Sequence, residues 1–178
     1  MSAVIYIRRM KPGISRHTYE LDESELKIDW TDVAGVDSCI VDVEIDANAG
    51  EVIVRGQVST DLKLECARCL EPFDMSTVFQ LALIIKLAHD GKLTGPESES
   101  SDDYFIVPDT TEEFDLAPII AERVILSLPL KPLCSDSCEG LCPNCGVNRN
   151  LETCECTNET VDERLSVLAK LKETDGGN

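Results

Sequence analysis

Twenty-three consecutive positions, Cys134 to Cys156 (CSDSCEGLCPNCGVNRNLETCEC), hold six of the chain's nine cysteines, and no other stretch limits so narrowly what the chain can fold into. Within it, Cys142-Pro143-Asn144-Cys145-Gly146 has the form of a metal knuckle: the proline presets a turn, the glycine permits positive φ, and two thiolates converge. A tetrahedral site needs two more donors. Cys154 and Cys156 follow an eight-residue spacer, Gly146 to Thr153, long enough to loop back, and Cys134 with Cys138 offer an alternative pair. Thiolate softness and tetrahedral geometry favour a structural zinc ion over magnesium or calcium, with iron–sulfur ligation the weaker reading. The expected ligand set is Cys142, Cys145, Cys154 and Cys156, holding one ion per chain. Nine is an odd count, and no export signal is evident, so a disulfide framework is the poorer reading. A stretch this poor in apolar residues would take its order from the metal.

Charge narrows the partners. Of 178 residues, 34 are acidic and 16 basic, giving −18, which disfavours broad sequence-independent binding to a phosphate backbone and favours a basic protein or an assembly containing one. Eight aromatic residues are scattered along the chain and do not cluster in sequence as base-stacking platforms do. No apolar run reaches the roughly 18 residues of a membrane span. The beginning, MSAVIYIRRMKPG, places its apolar patch before Arg8, Arg9 and Lys11, the reverse of a secretory signal, so the expected compartment is the reducing cytoplasm. Arg8, Arg9, Lys11 and Arg16 make the first 20 residues the only basic segment, a solvated face or a local contact to phosphate or a partner.

Hydrophobic spacing organises the remainder. Val4 to Ile7 reads as a short strand, and Leu21 to Trp30 as an acidic, loosely amphipathic stretch of open structure. From Val36 the period is two: Val41, Val43 and Ile45 alternate with acids, Ala47 to Gly50 supplies a turn, and Glu51 to Val58 alternates again. Leu62, Leu64 and Cys66 continue in a third strand, and Phe73 to Ala88 is a long fourth or two strands with a bend, completing an antiparallel meander. Between them Cys66-Ala67-Arg68-Cys69 sits in a hairpin turn before Pro72, away from the helix start that redox pairs of the thioredoxin type occupy. Packed thiols come first for this pair, a shared or second metal pair next, and redox chemistry last. His89 to Asp103 reads as an acidic loop, Tyr104 to Val107 as a strand after it, and Asp115 as the N-cap of a helix that stops before Pro129 and Pro132. Thr160 to Glu163 has the form of a capping box opening a last helix, with Val161, Leu165, Leu168 and Leu171 on one stripe to pack on the sheet.

The fold class expected is therefore α+β: an antiparallel β-meander or partly closed barrel with two helices and a Cys-rich zinc knuckle. A single domain would comprise residues 1–132 as N-terminal segment, sheet and helix, 133–157 as the knuckle and 158–178 as a helix returning to the core. The sheet would carry the stability, with the knuckle an appendage held between two helices. Catalytic zinc keeps an open position with a general acid or base nearby, and the deaminase pattern of His- or Cys-x-Glu followed by Pro-Cys-x-x-Cys is absent, since Cys69-Leu70-Glu71 is followed by no Pro-Cys pair; His17 and His89 lie in segments that read as loops. An enzyme is not expected.

Five features in one order resemble the YceD-like family of large-subunit ribosomal RNA accumulation proteins of bacteria and plastids. They are the C-x-R-C-L-x-P-F turn at Cys66 to Phe73 after a meander, the acidic loop, the D-L-x-P-x-I helix ending in L-P-L at Asp115 to Leu130, the knuckle at Lys131 to Asn148, and V-D-x-R-L-x-x-L at Val161 to Leu168. The resemblance spans residues 36 to 172. It implies a non-enzymatic cytoplasmic role in processing or stability of large-subunit ribosomal RNA during ribosome assembly, with no catalytic residues to carry over. Family members without the knuckle imply that the metal braces the fold. The partner expected is a basic ribosomal protein or an assembly intermediate, with the RNA reached indirectly. The competing function is a thiol redox or zinc-dependent interaction protein using Cys66 and Cys69.

Overall fold

The structure is a computed structural model that describes residues 3–28, 33–48, 50–89 and 103–156. Strict alternation of apolar residues builds its centre. Val41, Val43 and Ile45 lie on one face of strand β3 (Val33–Asn48), and Val52, Val54, Val58, Leu62 and Leu64 on the same face of β4 (Glu51–Glu65); all are buried. Leu81, Leu83 and Ile85 extend that face on β5 (Pro72–Ala88). Asn48 pairs with Glu51 across a two-residue turn in which Gly50 takes φ +83°, a conformation that glycine adopts without steric cost. The β3–β4–β5 meander thus follows from the period-two pattern.

Two points depart from the sequence-based expectation, and one of its open alternatives is resolved. The run from Val52 continues in phase through buried Thr60 to Leu64, so the second and third expected strands are one strand of 15 residues. Phe73 to Ala88 is likewise one strand, without a bend that divides it. The five-stranded sheet, ordered β2–β3–β4–β5–β6, is only mostly antiparallel: β6 (Tyr104–Pro108) runs parallel to β5, pairing Ile84 with Tyr104. A long connection between these strands permits the parallel return that a tight hairpin forbids. The sheet is not closed into a barrel among the described residues, since β2 and β6 remain its two edges.

The basic segment itself contains an edge strand. Residues Gly13–Leu21 form β2, antiparallel to β3 from Gly13↔Ala47 to Leu21↔Cys39, which places His17 on a strand and corrects its assignment to a loop. Before it, β1 (Val4–Tyr6) and a 3-10 turn at Ile7–Arg9 pair instead with β7 (Glu113–Asp115), forming a two-stranded ribbon. Leu21 to Ile28 contains α1 (Glu23–Leu26), a single turn fixed by a capping box: Asp22 accepts from the Glu25 N–H at 3.1 Å, and the Glu25 carboxylate accepts from the Asp22 N–H at 3.3 Å.

Helix α2 (Ala117–Ser127) starts one residue later than expected, with Leu116 as its N-cap. Asp115 ends β7, and its side chain still accepts from the Ala117 N–H at 2.9 Å, satisfying one of the helix's orphan donors. Ala117, Ile120, Ala121 and Val124 form the buried stripe of α2, joined in one core by Leu116 and the sheet residues. Full burial of a side chain such as Leu116, Ile120 or Val124 stabilises by about 1.5–3 kcal/mol, and α2 with the ribbon covers the apolar face that the meander creates. The expected helix bearing Val161, Leu165, Leu168 and Leu171 falls in 157–178, outside the described residues, as does most of the acidic loop.

Candidate metal centres

Nine cysteines resolve into two groups of four and one alone. Cys66, Cys69, Cys134 and Cys138 form the first group and Cys142, Cys145, Cys154 and Cys156 the second, with all sulfurs of a group within 4.8 Å of one another. Cys39 is the ninth, buried on β3, where burial pushes its thiol up to about 11. The second group is the expected ligand set. The alternative pair Cys134 and Cys138 does not join it; these two meet Cys66 and Cys69 instead, so two candidate sites stand where one ion was expected.

Local turns create the first group. The β4–β5 connection folds tightly, with the Leu70 N–H donating to the Cys66 carbonyl at 2.9 Å and the Cys66 N–H to the Glu71 carbonyl at 3.0 Å. Leu70 takes φ +60°, the left-handed conformation at which the chain reverses toward β5. The segment after α2 is then bonded across this turn. The Ala67 N–H donates to the Pro132 carbonyl at 2.9 Å, and the Leu141 N–H to the Arg68 carbonyl at 3.0 Å. Arg68 donates from Nη1 to the Cys138 carbonyl at 2.8 Å. Gly140, at φ +73°, lies so close that a Cβ there would meet the Arg68 carbonyl oxygen at 2.9 Å. Phe73 and Leu133 pack against the sulfurs, and Cys66, Cys69 and Cys138 are all buried.

The second group is a self-contained loop. The Gly146 N–H donates to the Cys142 carbonyl and the Cys142 N–H to the Val147 carbonyl, both at 2.8 Å, while Leu141 bridges to Asn148. Gly146 has φ +75°, as the knuckle pattern requires. Cys145 and Cys156 are exposed and Cys142 is buried. One side chain links the two groups: Asn150 donates to Cys138 Sγ at 3.3 Å and accepts from the Glu139 N–H at 2.8 Å.

Distances identify the chemistry these sites can perform. Four donors at a zinc–sulfur bond length of about 2.3 Å sit at the corners of a tetrahedron with edges of about 3.8 Å. Cys66 to Cys138 measures 3.8 Å and Cys69 to Cys134 3.7 Å, much longer than a disulfide bond, and all nine cysteines are free thiols. Ionisation is uneven within each group. Burial opposes a charge on Cys66, yet N–H groups of Cys134, Cys69 and Arg68 bring its thiol down to about 6, while the Cys138 thiol beside Cys134 drives the latter up to about 12. In the second group the N–H groups of Cys145 and Asn144 hold Cys142 down at about 6, whereas Cys145 pushes Cys156 up to about 12. Crowded thiols cannot all ionise against one another without a cation between them, and a divalent ion would remove that conflict. The donor set and spacing of both groups fit a tetrahedral metal ion.

The family model for the large ribosomal RNA subunit accumulation protein YceD matches residues 54–172, from near the start of β4 past both thiol groups. The chain belongs to the YceD family. Within the family context, an uncharacterized protein of Mycobacterium tuberculosis is 32% identical over 131 residues, covering 74% of this chain and 60% of the relative, so the chain spans about three-fifths of that protein's length. The chloroplastic large ribosomal RNA subunit accumulation protein YCED homolog 1 of Zea mays is 26% identical over 147 residues, covering 66% of this chain and 47% of the homolog. The uncharacterized protein YlbN of Bacillus subtilis is 27% identical over 169 residues, covering 90% of this chain and 91% of its own. No solved structure matches. Among the described residues, no helix is long and apolar enough to cross a membrane.

The basic residues fall outside the YceD match. Arg8 lies 3.7 Å from Glu112 and Arg16 3.1 Å from Glu44, so two of the four predicted contact residues carry acidic partners. Arg9 stacks over the Tyr6 ring at 5.2 Å from its centroid, and Lys11 is exposed beside it. Sequence reasoning missed the union of Cys66 and Cys69 with Cys134 and Cys138; the available signal was that each pair lacked two donors of the same kind.

Proposed function

We propose that this chain is a non-enzymatic factor supporting large-subunit ribosomal RNA processing and accumulation during ribosome assembly, braced by two structural zinc ions and acting in the cytoplasm. The first ion is held by Cys66, Cys69, Cys134 and Cys138, the second by Cys142, Cys145, Cys154 and Cys156. The observation that carries the structural role is the closed thiol tetrad: four cysteines fill a tetrahedral shell, which leaves no position for a substrate or an activated water. Tying the β4–β5 turn to the segment after α2 fixes how the C-terminal third meets the sheet. A redox role for Cys66 and Cys69 is less well supported, because both are buried and occupied with neighbouring thiols.

The partner is a basic ribosomal protein, or an assembly intermediate that displays one, attracted by a chain of net charge −18. The name carried by the maize relative supports the link to large-subunit RNA. Affinity capture from growing cells, with and without ribonuclease, tests the reading. Large-subunit proteins should be retained after ribonuclease treatment, and sedimentation with large-subunit intermediates should weaken as salt rises. Capture of no ribosomal component under either condition would refute it. Metal analysis finding fewer than two zinc equivalents in protein purified without chelator would refute the bracing.

A further inference from the structure

Two grooves flank the edge strand β2, and their linings have opposite electrical character. One is lined by Glu20, Asp22, Glu25 and Asp37, with no lysine or arginine among its described lining residues. The other, about 640 Å³ between β2 and the β1 turn, has no carboxylate among the described residues that line it, in a chain with 34 acidic residues. It is lined instead by Tyr6, Arg9, Lys11, His17 and Tyr19 over an apolar floor that includes Ile45. Among the described residues, neither Arg9 nor Lys11 has a carboxylate at ion-pair distance, unlike Arg8 and Arg16.

The rings are arranged as platforms. His17 and Tyr19 are two residues apart on one face of β2, with centroids 6.1 Å apart and planes inclined by 13°. Across the groove Tyr6 is exposed, with the Arg9 guanidinium 5.2 Å from its centroid, so a planar cation lies beside a planar ring. Two of the chain's three tyrosines and one of its two histidines are thereby concentrated in one place. We infer that this groove binds unpaired nucleotides of single-stranded RNA, bases stacking on Tyr19, His17 and Tyr6 and one or two phosphates meeting Arg9 and Lys11. Planar faces with few cations suit unpaired bases, which stack on aromatic rings and arginine planes. An acidic peptide would use the cations and leave three rings without planar partners. The choice of RNA rests on the proposed ribosomal role; the groove's preference for bases rests on the rings.

Such a site differs from a basic surface in its salt response. With one or two phosphates neutralised on a single strand, the logarithm of affinity should fall with that of salt at a slope of about −0.7 to −1.4. The repulsion of a chain at −18 keeps free binding weak, and it becomes effective once the acidic surface has docked on a basic protein.

The test is fluorescence anisotropy of the full chain with a labelled, unstructured ten-nucleotide RNA, beside the same sequence as DNA and heparin as competitor. Saturable binding with that shallow slope is expected, weakened about tenfold or more by Tyr6→Ala or Tyr19→Ala and retained by Tyr19→Phe, with heparin a poor competitor. Lys11→Ala should reduce the slope by about 0.7. Matching circular dichroism and unfolding midpoints show that a variant is folded, and the Tyr19→Phe comparison isolates stacking from the hydroxyl. Absence of saturable binding at millimolar protein, indifference to loss of both tyrosines, competition by heparin equal to that by RNA, or preference for DNA would overturn the inference. Co-sedimentation of the double Tyr6→Ala, Tyr19→Ala variant with assembly intermediates separates the two ideas: retained sedimentation without oligonucleotide binding would leave the ribosomal role standing, and its loss for the wild-type chain would refute that role alone.

Discussion

If both thiol groups bind zinc, they should contribute unequally to stability, because they close chain loops of very different length. Cys69 and Cys134 are 65 positions apart, and the intervening chain contains β5, β6, β7 and α2. Treated as a cross-link on the unfolded chain, a closure of that length stabilises by about 4 kcal/mol. In the second group Cys145 and Cys154 are nine positions apart, a closure that stabilises by about 2.5 kcal/mol on the same scale. For a chain of 178 residues, each kcal/mol moves the midpoint by about 2–4 °C. Cys69→Ser should therefore lower Tm by about 8–16 °C and Cys142→Ser by about 5–10 °C, each with loss of one zinc equivalent. Metal content by mass spectrometry and thermal unfolding by circular dichroism give these two numbers. Hydrogen exchange locates the damage: Cys142→Ser should release amides of the 139–156 segment while β3, β4 and β5 stay protected, whereas Cys69→Ser should loosen the whole segment after α2. Equal losses in the two variants, or collapse of the entire transition in Cys142→Ser, would refute the reasoning and show the second group to be integral to the sheet.

Two further predictions concern the sheet. A Cβ at Gly56 would stand 2.0 Å from the Asp42 carbonyl oxygen and 2.7 Å from Val43 Cα, both backbone atoms of β3, so Gly56→Ala must part the strands and should cost about 3 kcal/mol or more; an unchanged denaturation midpoint would refute this. Asp61 accepts hydrogen bonds from Ser76 at 2.6 Å and Ser38 at 2.8 Å, which hold its carboxyl below the ordinary carboxylate value. The stabilisation from that depressed value is present above the unfolded-state pKa and is lost as pH falls through the folded one. Ser76→Ala should move the carboxyl titration upward in an NMR pH series, and an unmoved curve would show that the hydroxyls do not set it.

Local grammar was legible before the tertiary structure. Alternation from Val41 through Ile85 marked the buried face of the meander, Ala47 to Gly50 its first turn, and Cys142 to Gly146 a knuckle with Cys154 and Cys156 as its completing pair. Each depends on neighbours a few residues away, so spacing along the chain carries the information. The polar stretch Ser59-Thr60-Asp61 interrupts the apolar composition of β4 but not its phase, with Thr60 at the buried parity. The capping box at Asp22 to Glu25 was also present in the sequence and unused.

Other features were decided only when distant segments met. No spacing rule joins Cys66 and Cys69 to Cys134 and Cys138, because the partners come together through the return of α2 and the hydrogen bonds of Ala67 and Leu141 across the turn. The parallel pairing of β6 with β5 likewise depends on where a long connection lands, since a short exposed strand carries no mark of direction. His17 and Tyr19 share a strand face that is apparent once β2 is known, but the facing of Tyr6 and Arg9 toward them required β1 to pair with β7, more than a hundred residues away. The sequence alone determined which residues could be buried and which thiols could bind metal. Tertiary structure decided which thiols come together and where, among the described residues, a strongly acidic chain leaves a groove lined without carboxylates, because both depend on contacts whose entropic cost is offset only by the assembled core.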